Sequence, residues 1–179
     1  MNALEIRVLS DDATTVAMLA DLLIETVAAG GSVSFMHPLP VEPARDFWRK
    51  SLAAAARGER AVLGAWQDGV LAGTVTLLLD FPPNQPHRAE IAKLMTGRDH
   101  RGKGIATRLM RAAEELAVEK GRTLLVLDTA SETGAAGLYE RLGFTLTGAI
   151  PDFALKPHGG LTGTLIYWKR IGAGGRTLS

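Results

Sequence analysis

The stretch Arg98-Asp99-His100-Arg101-Gly102-Lys103-Gly104-Ile105-Ala106-Thr107 decides how the rest of the chain is read. It follows a run with strand character, Glu90–Thr96, and opens a stripe of apolar residues at helical spacing: Ile105, Leu109, Ala113 and Leu116. Two glycines at a spacing of two let the backbone approach a ligand closely. The helix start behind them offers unpaired N–H groups and the positive end of the helix dipole. Between residues 98 and 111 five Arg or Lys (98, 101, 103, 108, 111) stand against one acid, Asp99. These features suit an anion the size of a pyrophosphate. On the glycines alone, a plain turn that starts a solvated basic helix fits equally well. Gly97 to Lys103 also fits the nucleotide-binding pattern G-x-x-x-x-G-K, but Gly104 stands where that motif needs a Ser or Thr hydroxyl for magnesium.

Upstream of this stretch the chain reads as β-α-α-β-β. Residues 3–9 alternate as a strand, and Ser10-Asp11-Asp12 offers caps for a helix over 11–28. A loop over 32–41 leads to a helix over 43–57, with Pro43 tolerated in its first turn. Arg60–Gln67 and Val70–Asp80 are strands joined at Asp68-Gly69, a two-residue hairpin signal. Phe81–Arg88 is a proline-rich loop ahead of the strand Glu90–Thr96. Downstream, the glycine-led helix runs over 102–119, followed by a strand 123–129, a helix 132–142, a strand 144–149, a loop 150–160 and a last strand 162–170. Early hairpins and late βα alternation predict a mixed α/β sheet with helices on its faces. The expected organisation is one domain over 1–171 and a flexible tail over 172–179.

Composition narrows the function. The 179 residues carry a net charge of +1, less basic than expected of a nucleic-acid binder. There is no cysteine, which excludes disulfides, cysteine-ligated zinc and any cysteine nucleophile. The longest apolar runs, such as Val70–Leu79, fall short of the ~20 residues that span a bilayer. The N-terminus lacks a basic region followed by an apolar one, so the expected location is the cytoplasm. His37, His87, His100 and His158 form no metal-ligand spacing, so no metal is expected, and no G-x-S-x-G elbow points to a serine hydrolase.

A second informative stretch is Asp128-Thr129-Ala130-Ser131-Glu132, then Ala135-Ala136-Gly137-Leu138-Tyr139-Glu140-Arg141-Leu142-Gly143-Phe144. Small residues over 134–137 would let a thin ligand lie against the helix that bears Tyr139. Taken alone, the helix is equally well a packed element with a core tyrosine. Arg101-Gly102-Lys103-Gly104-Ile105-Ala106 matches the R/Q-x-x-G-x-G/A signature of the GCN5-related N-acetyltransferases (GNAT), and Leu138–Phe144 matches their LYE-x-LGF segment. The order of elements over about 3–170 resembles that fold as well. More narrowly, Glu25-Thr26-Val27, Gly31–Met36, Arg88-Ala89-Glu90, Lys93-Leu94-Met95 and Leu127-Asp128-Thr129 are similar to the tabtoxin-resistance type of acetyltransferase. Glu132 departs from the family, where asparagine is frequent.

The resemblance implies a mostly antiparallel sheet splayed between its fourth and fifth strands, with acetyl-CoA in the splay. It implies that the N–H groups of Gly102, Lys103, Gly104, Ile105, Ala106 and Thr107 hold the pyrophosphate, with Arg101 beside them. The pantetheine arm would pair with backbone at Leu94, Met95 and Thr96, like an added strand, and pass Ala135 and Ala136. A bulge there would aim an N–H at the thioester carbonyl. Tyr139 would protonate the departing thiolate. The resemblance is also compatible with a homodimer that meets along its last strands.

With no cysteine, an acyl-cysteine route is closed and direct attack by an amine is the simplest chemistry. An alkylammonium acceptor must first lose a proton, and Glu90 and Asp128 are the candidate bases; burial would raise either pKa towards a useful range. The alternatives are structural: Asp128 caps the next helix, and Glu90 pairs with Arg88 or Lys93. Phe35, Trp48 and Phe153 are expected in the acceptor pocket, although each could equally be a core residue. The expected reaction is acetyl transfer to the primary amine of a small molecule, without nucleic acid or membrane as partner. Two other readings stay open: a non-catalytic acyl-CoA sensor, and an enzyme that acetylates protein N-termini or lysines.

Overall fold

Local signals set most element ends in the computed structural model, which describes residues 4–172. The expected tail lies, from residue 173 on, outside the described residues. Chain order is β1 (Glu5–Val8), α1 (Ala13–Ala28), α2 (Val41–Ala56), β2 (Arg60–Gln67), β3 (Val70–Leu78), β4 (Arg88–Thr96), a short 3-10 turn (Arg98–His100), α3 (Ile105–Glu119), β5 (Leu124–Ala130), α4 (Ala136–Arg141), β6 (Thr145–Leu155) and β7 (Leu161–Arg170). Asp12 caps α1, accepting from the Thr15 N–H at 2.9 Å and its hydroxyl at 2.6 Å. Asp68 and Gly69 both have positive φ, 52° and 78°, and close the β2–β3 hairpin.

The strands form one sheet in the order β1-β2-β3-β4-β5-β7-β6. Every neighbouring pair is antiparallel except β4–β5. This is the mixed, mostly antiparallel sheet expected from the sequence, with helices on both faces. Strand alternation sorts side chains between two cores. Ala61, Leu63 and Ala65 join Leu109, Ala113 and Ala117 of α3 on one face. Val62 joins Leu19, Leu23, Trp48 and Leu52 of α1 and α2 on the other. Among the described residues no helix is long and apolar enough to cross a membrane.

Four expectations need correction. α3 begins at Ile105 rather than 102, because Gly102 and Gly104 hold φ of 74° and 75° and cannot belong to a right-handed helix. α4 is only Ala136–Arg141, since Gly134 at φ 68° keeps the preceding turn out of it. Most of the expected loop 150–160 is strand: β6 runs to Leu155 and pairs with β7 across a register shift between Ile150 and Ala154. As an outer strand with nearly every residue exposed, β6 lacks the alternation that marks a buried strand.

The fourth concerns the acceptor pocket. Trp48 is fully buried in the α1/α2 core, where Ala44, Trp48 and Leu52 form one helical stripe facing the sheet. Phe35 packs edge-on against Phe47, with ring centroids 5.1 Å apart, at the rim of the same core. Neither lines the cleft described below. Trp48→Ala should therefore lower unfolding stability by about 3–5 kcal/mol in urea titrations. Acceptor KM should change little while the variant is folded. A rise in KM with stability unchanged would return Trp48 to the pocket.

Candidate active site

The site begins where two parallel strands stop pairing. β4 and β5 are joined at Arg88–Leu124, Ala89–Leu125 and Glu90–Val126, and no further. Beyond these pairs β4 continues to Thr96 and β5 to Ala130, so the sheet opens like a V. On its other side β4 stays paired to β3, but two steps along β3, from Thr74 to Thr76, match three along β4, from Met95 to Ala92. The extra residue is a bulge, and Lys93 sits in it at φ 52°. The bulge reverses the strand's parity. Ala89 and Ile91 point into the α3 core, yet Met95 joins the α1/α2 core and Leu94 packs on the α3 side.

Two clefts meet at this opening. The larger, about 580 Å³, is lined by Leu94, Met95, Thr96, Arg101, Ala106 and Ala135, among others. The smaller, about 200 Å³, is lined by Ser34, Lys93, Asp128, Phe153 and Thr164, among others. Tyr139, Leu94, Thr129 and Thr162 belong to both walls. Tyr139 is 6% exposed and packs against Tyr167 and Phe144, at centroid distances of 5.7 and 6.1 Å. Burial pushes its hydroxyl pKa up to about 12, partly offset by a hydrogen bond with the Thr129 side chain and reinforced by the nearby Asp128 charge. The phenol therefore stays protonated across the working range of an enzyme.

The larger cleft has features that suit a pyrophosphate-bearing ligand. Arg108 is the first residue of α3 whose N–H finds an intrahelical acceptor, the Gly104 carbonyl at 3.1 Å. The N–H groups of Ile105, Ala106 and Thr107 are thus left without helical partners, and no side chain caps the helix. A Cβ built on Gly102 or Gly104 would meet nothing within 4 Å, so the turn is open above both. Gly102, Lys103, Gly104, Ile105 and Thr107 are not in the cleft wall itself; Arg101 and Ala106, which flank the turn, are. The Ile105 side chain is buried in the α3 core and anchors the turn from below. Ala136 starts α4 beside Ala135. Glu132, also in the wall, pairs with Lys156 at 3.2 Å.

The two candidate carboxylates part company. Asp128 lines the smaller cleft and accepts from the Thr164 hydroxyl at 3.0 Å. Glu90 lies in the last closed pair of the sheet, is bound by Arg88 at 3.2 Å and lines neither cleft. The expected burial is not found: Asp128 is exposed, and the Glu90 side chain keeps 30% exposure. Phe153 is 54% exposed at the rim of the smaller cleft. The loop over 32–40 closes on the β6–β7 turn. The His37 N–H donates to the Pro157 carbonyl at 2.9 Å, and the His37 and His158 rings lie 4.4 Å apart. Sequence reasoning missed Ser34, Lys93 and Thr164. The change in apolar spacing from 89 and 91 to 94 and 95 was the available sign of the bulge.

This architecture has relatives. Residues 26–144 match the model of the "Acetyltransferase (GNAT) family", and the chain belongs to that family. It is similar to human N-acetyltransferase 8B, 40% identical over 78 residues, covering 42% of this chain and 34% of that protein. The chain thus spans about a third of the length of that curated relative. Among solved structures it resembles a GNAT superfamily phosphinothricin acetyltransferase from Sinorhizobium meliloti in complex with acetyl-CoA. The TM-score there is 0.80 at 17% identity, covering 96% of this chain and 90% of that one. A protein from Salmonella typhimurium solved with its cofactor acetyl-CoA has a TM-score of 0.76 at 19% identity, covering 98% of each chain.

The open turn makes a direct prediction. Gly104→Ala forces a side chain into the left-handed region at a cost of about 1–2 kcal/mol. By calorimetry its acetyl-CoA affinity should fall several-fold. Gly121→Ala, at φ 73° beyond the far end of α3, should cost similar stability and leave affinity unchanged. Equal affinity loss in both variants would detach the turn from the ligand.

Proposed function

We propose that this chain transfers the acetyl group of acetyl-CoA to the primary amine of a small acceptor, by direct attack in a ternary complex. The observation that carries the reading is the meeting of two clefts at the β4 bulge. One is bordered by an uncapped helix start and the other holds a carboxylate, with a buried tyrosine in both walls. Acetyl-CoA, when bound, supplies a thioester that an unprotonated amine can attack. Ile105, Ala106 and Thr107 would hold its pyrophosphate through backbone N–H groups, and the backbone of Leu94, Met95 and Thr96 would receive its pantetheine arm.

Asp128 is the favoured base of the two carboxylates, because it faces the acceptor cleft while Glu90 is held by Arg88. It draws an ammonium into the cleft and accepts the proton that the amine must lose, directly or through water. The Thr164 hydroxyl keeps its carboxylate in place. As the amine nitrogen bonds the carbonyl carbon, the carbon–sulfur bond breaks and the electron pair leaves on sulfur. Tyr139, protonated at rest, gives its proton to that sulfur, and the second proton that the nitrogen sheds as it becomes an amide restores the phenol.

A cleft of about 200 Å³ supports a small acceptor rather than a folded protein surface. Within the family we place the chain nearest the tabtoxin-resistance type, on the sequence pieces that suggested it, and in the cytoplasm. Free-thiol release from acetyl-CoA against an amine panel tests the reading. Tyr139→Phe and Asp128→Asn should each lower kcat by about 100-fold or more, with acetyl-CoA affinity retained. Glu90→Gln should have a far smaller effect. Tight acetyl-CoA binding with no amine-dependent release would favour the sensor instead. Release with peptides alone would favour protein acetylation.

A further inference from the structure

Lys93 has no part in the chemistry above, yet the structure spends strain on it. Four non-glycine residues have positive φ among those described: Ser34, Asp68, Lys93 and Asp152. Asp68 belongs to a hairpin turn. Ser34 and Lys93 both line the smaller cleft, and Asp152 precedes Phe153, which also lines it. Such backbone positions are costly for side-chain-bearing residues and gather at functional sites. Ser34 and Lys93 come from different parts of the fold and meet: the Lys93 ammonium donates to the Ser34 hydroxyl at 3.1 Å. The same ammonium lies 5.7 Å from the centroid of the Phe47 ring.

This ammonium is partly buried and, among the described residues, has no carboxylate within 4.0 Å. Burial pushes its pKa below the usual lysine value, and the negative charge of Asp128 across the cleft works the other way. Lys93 does not line the larger cleft, so it is not placed to serve the pyrophosphate. A partly buried cation that no carboxylate touches directly can receive an anion, and a carboxylate bound by it makes a strong, charge-assisted hydrogen bond. The Ser34 hydroxyl, while accepting from Lys93, has its own proton left for the same anion.

We propose that Lys93, with Ser34, is the specificity-determining pair of the acceptor cleft, and that the acceptor is an amine that also carries a carboxylate. The carboxylate sits on Lys93 and Ser34, and the amine points towards Asp128 and Tyr139. The proposal rests on the acetyltransferase reading and narrows its substrate class from amines to amino acids and their short peptides.

Matched acceptors test it: L-methionine against its decarboxylated amine, L-phenylalanine against phenethylamine, and the corresponding dipeptides to separate free amino acids from peptide carboxylates. The wild-type enzyme should favour the carboxylate-bearing member by about 10- to 100-fold in kcat/KM. Lys93→Met should remove that preference, through KM more than kcat, and leave the decarboxylated partners within a few-fold of wild type. Lys93→Arg should keep part of it. Equal turnover of both members by the wild-type enzyme overturns the proposal while leaving the acetyltransferase reading intact, and needs no variant to fold. Equal loss on both members in Lys93→Met, at unchanged melting temperature, also overturns it. Thiol release that no amine on the panel increases overturns both readings together.

Discussion

Everything at the site depends on where β4 and β5 stop bonding to each other. Three residue pairs hold the strands parallel, and past Glu90 and Val126 the backbone groups facing the gap lose their ladder partners. Unpaired backbone polar groups must find water or a ligand. An extended arm with its own amides is the natural occupant of such a gap. The split also divides the fold's work. The half made of β1–β4 is covered on one face by α1 and α2, while β5, β7 and β6 bring Asp128 and Thr164 to the opposite wall.

The bulge at Lys93 is the second constraint. One extra residue on β4 turns Met95 into the α1/α2 core and leaves Leu94 on the other side, where it belongs to both cleft walls. The same irregularity sets Lys93 towards the acceptor side. A regular strand would have carried the alternation of Ala89 and Ile91 onward and given a different wall. Tyr139 completes the junction from the short helix α4. Burial against Tyr167 and Phe144 keeps the phenol neutral, against the smaller opposing effect of Thr129.

Sequence patterns reached the architecture because its signals are local. The capping Asp12, the Asp68-Gly69 turn and the glycines at 102 and 104 act within a few residues and need no tertiary context. The order of all the major elements followed from them, and the two family-like motifs suggested the splay. Less was legible where side chains must be assigned to a face. Trp48 looked like a pocket wall because aromatic residues suit both pockets and cores. Its spacing of four from Ala44 and Leu52 was the better guide. The second half of β6, over 150–155, was hidden because an exposed outer strand with a bulge near Pro151 and Asp152 carries no alternation. The contact of Lys93 with Ser34 was out of reach, since it spans 59 residues and depends on a loop conformation that no local signal sets.

The gap between β4 and β5, together with the uncapped start of α3, is the proposed receptor for acetyl-CoA. Hydrogen–deuterium exchange with and without acetyl-CoA tests it at backbone resolution. Exchange should slow at the amides of Leu94, Met95 and Thr96 and over 102–107, with β1 and the β2–β3 hairpin unaffected. Binding that protects neither segment, or protects only residues away from the splay, would contradict it.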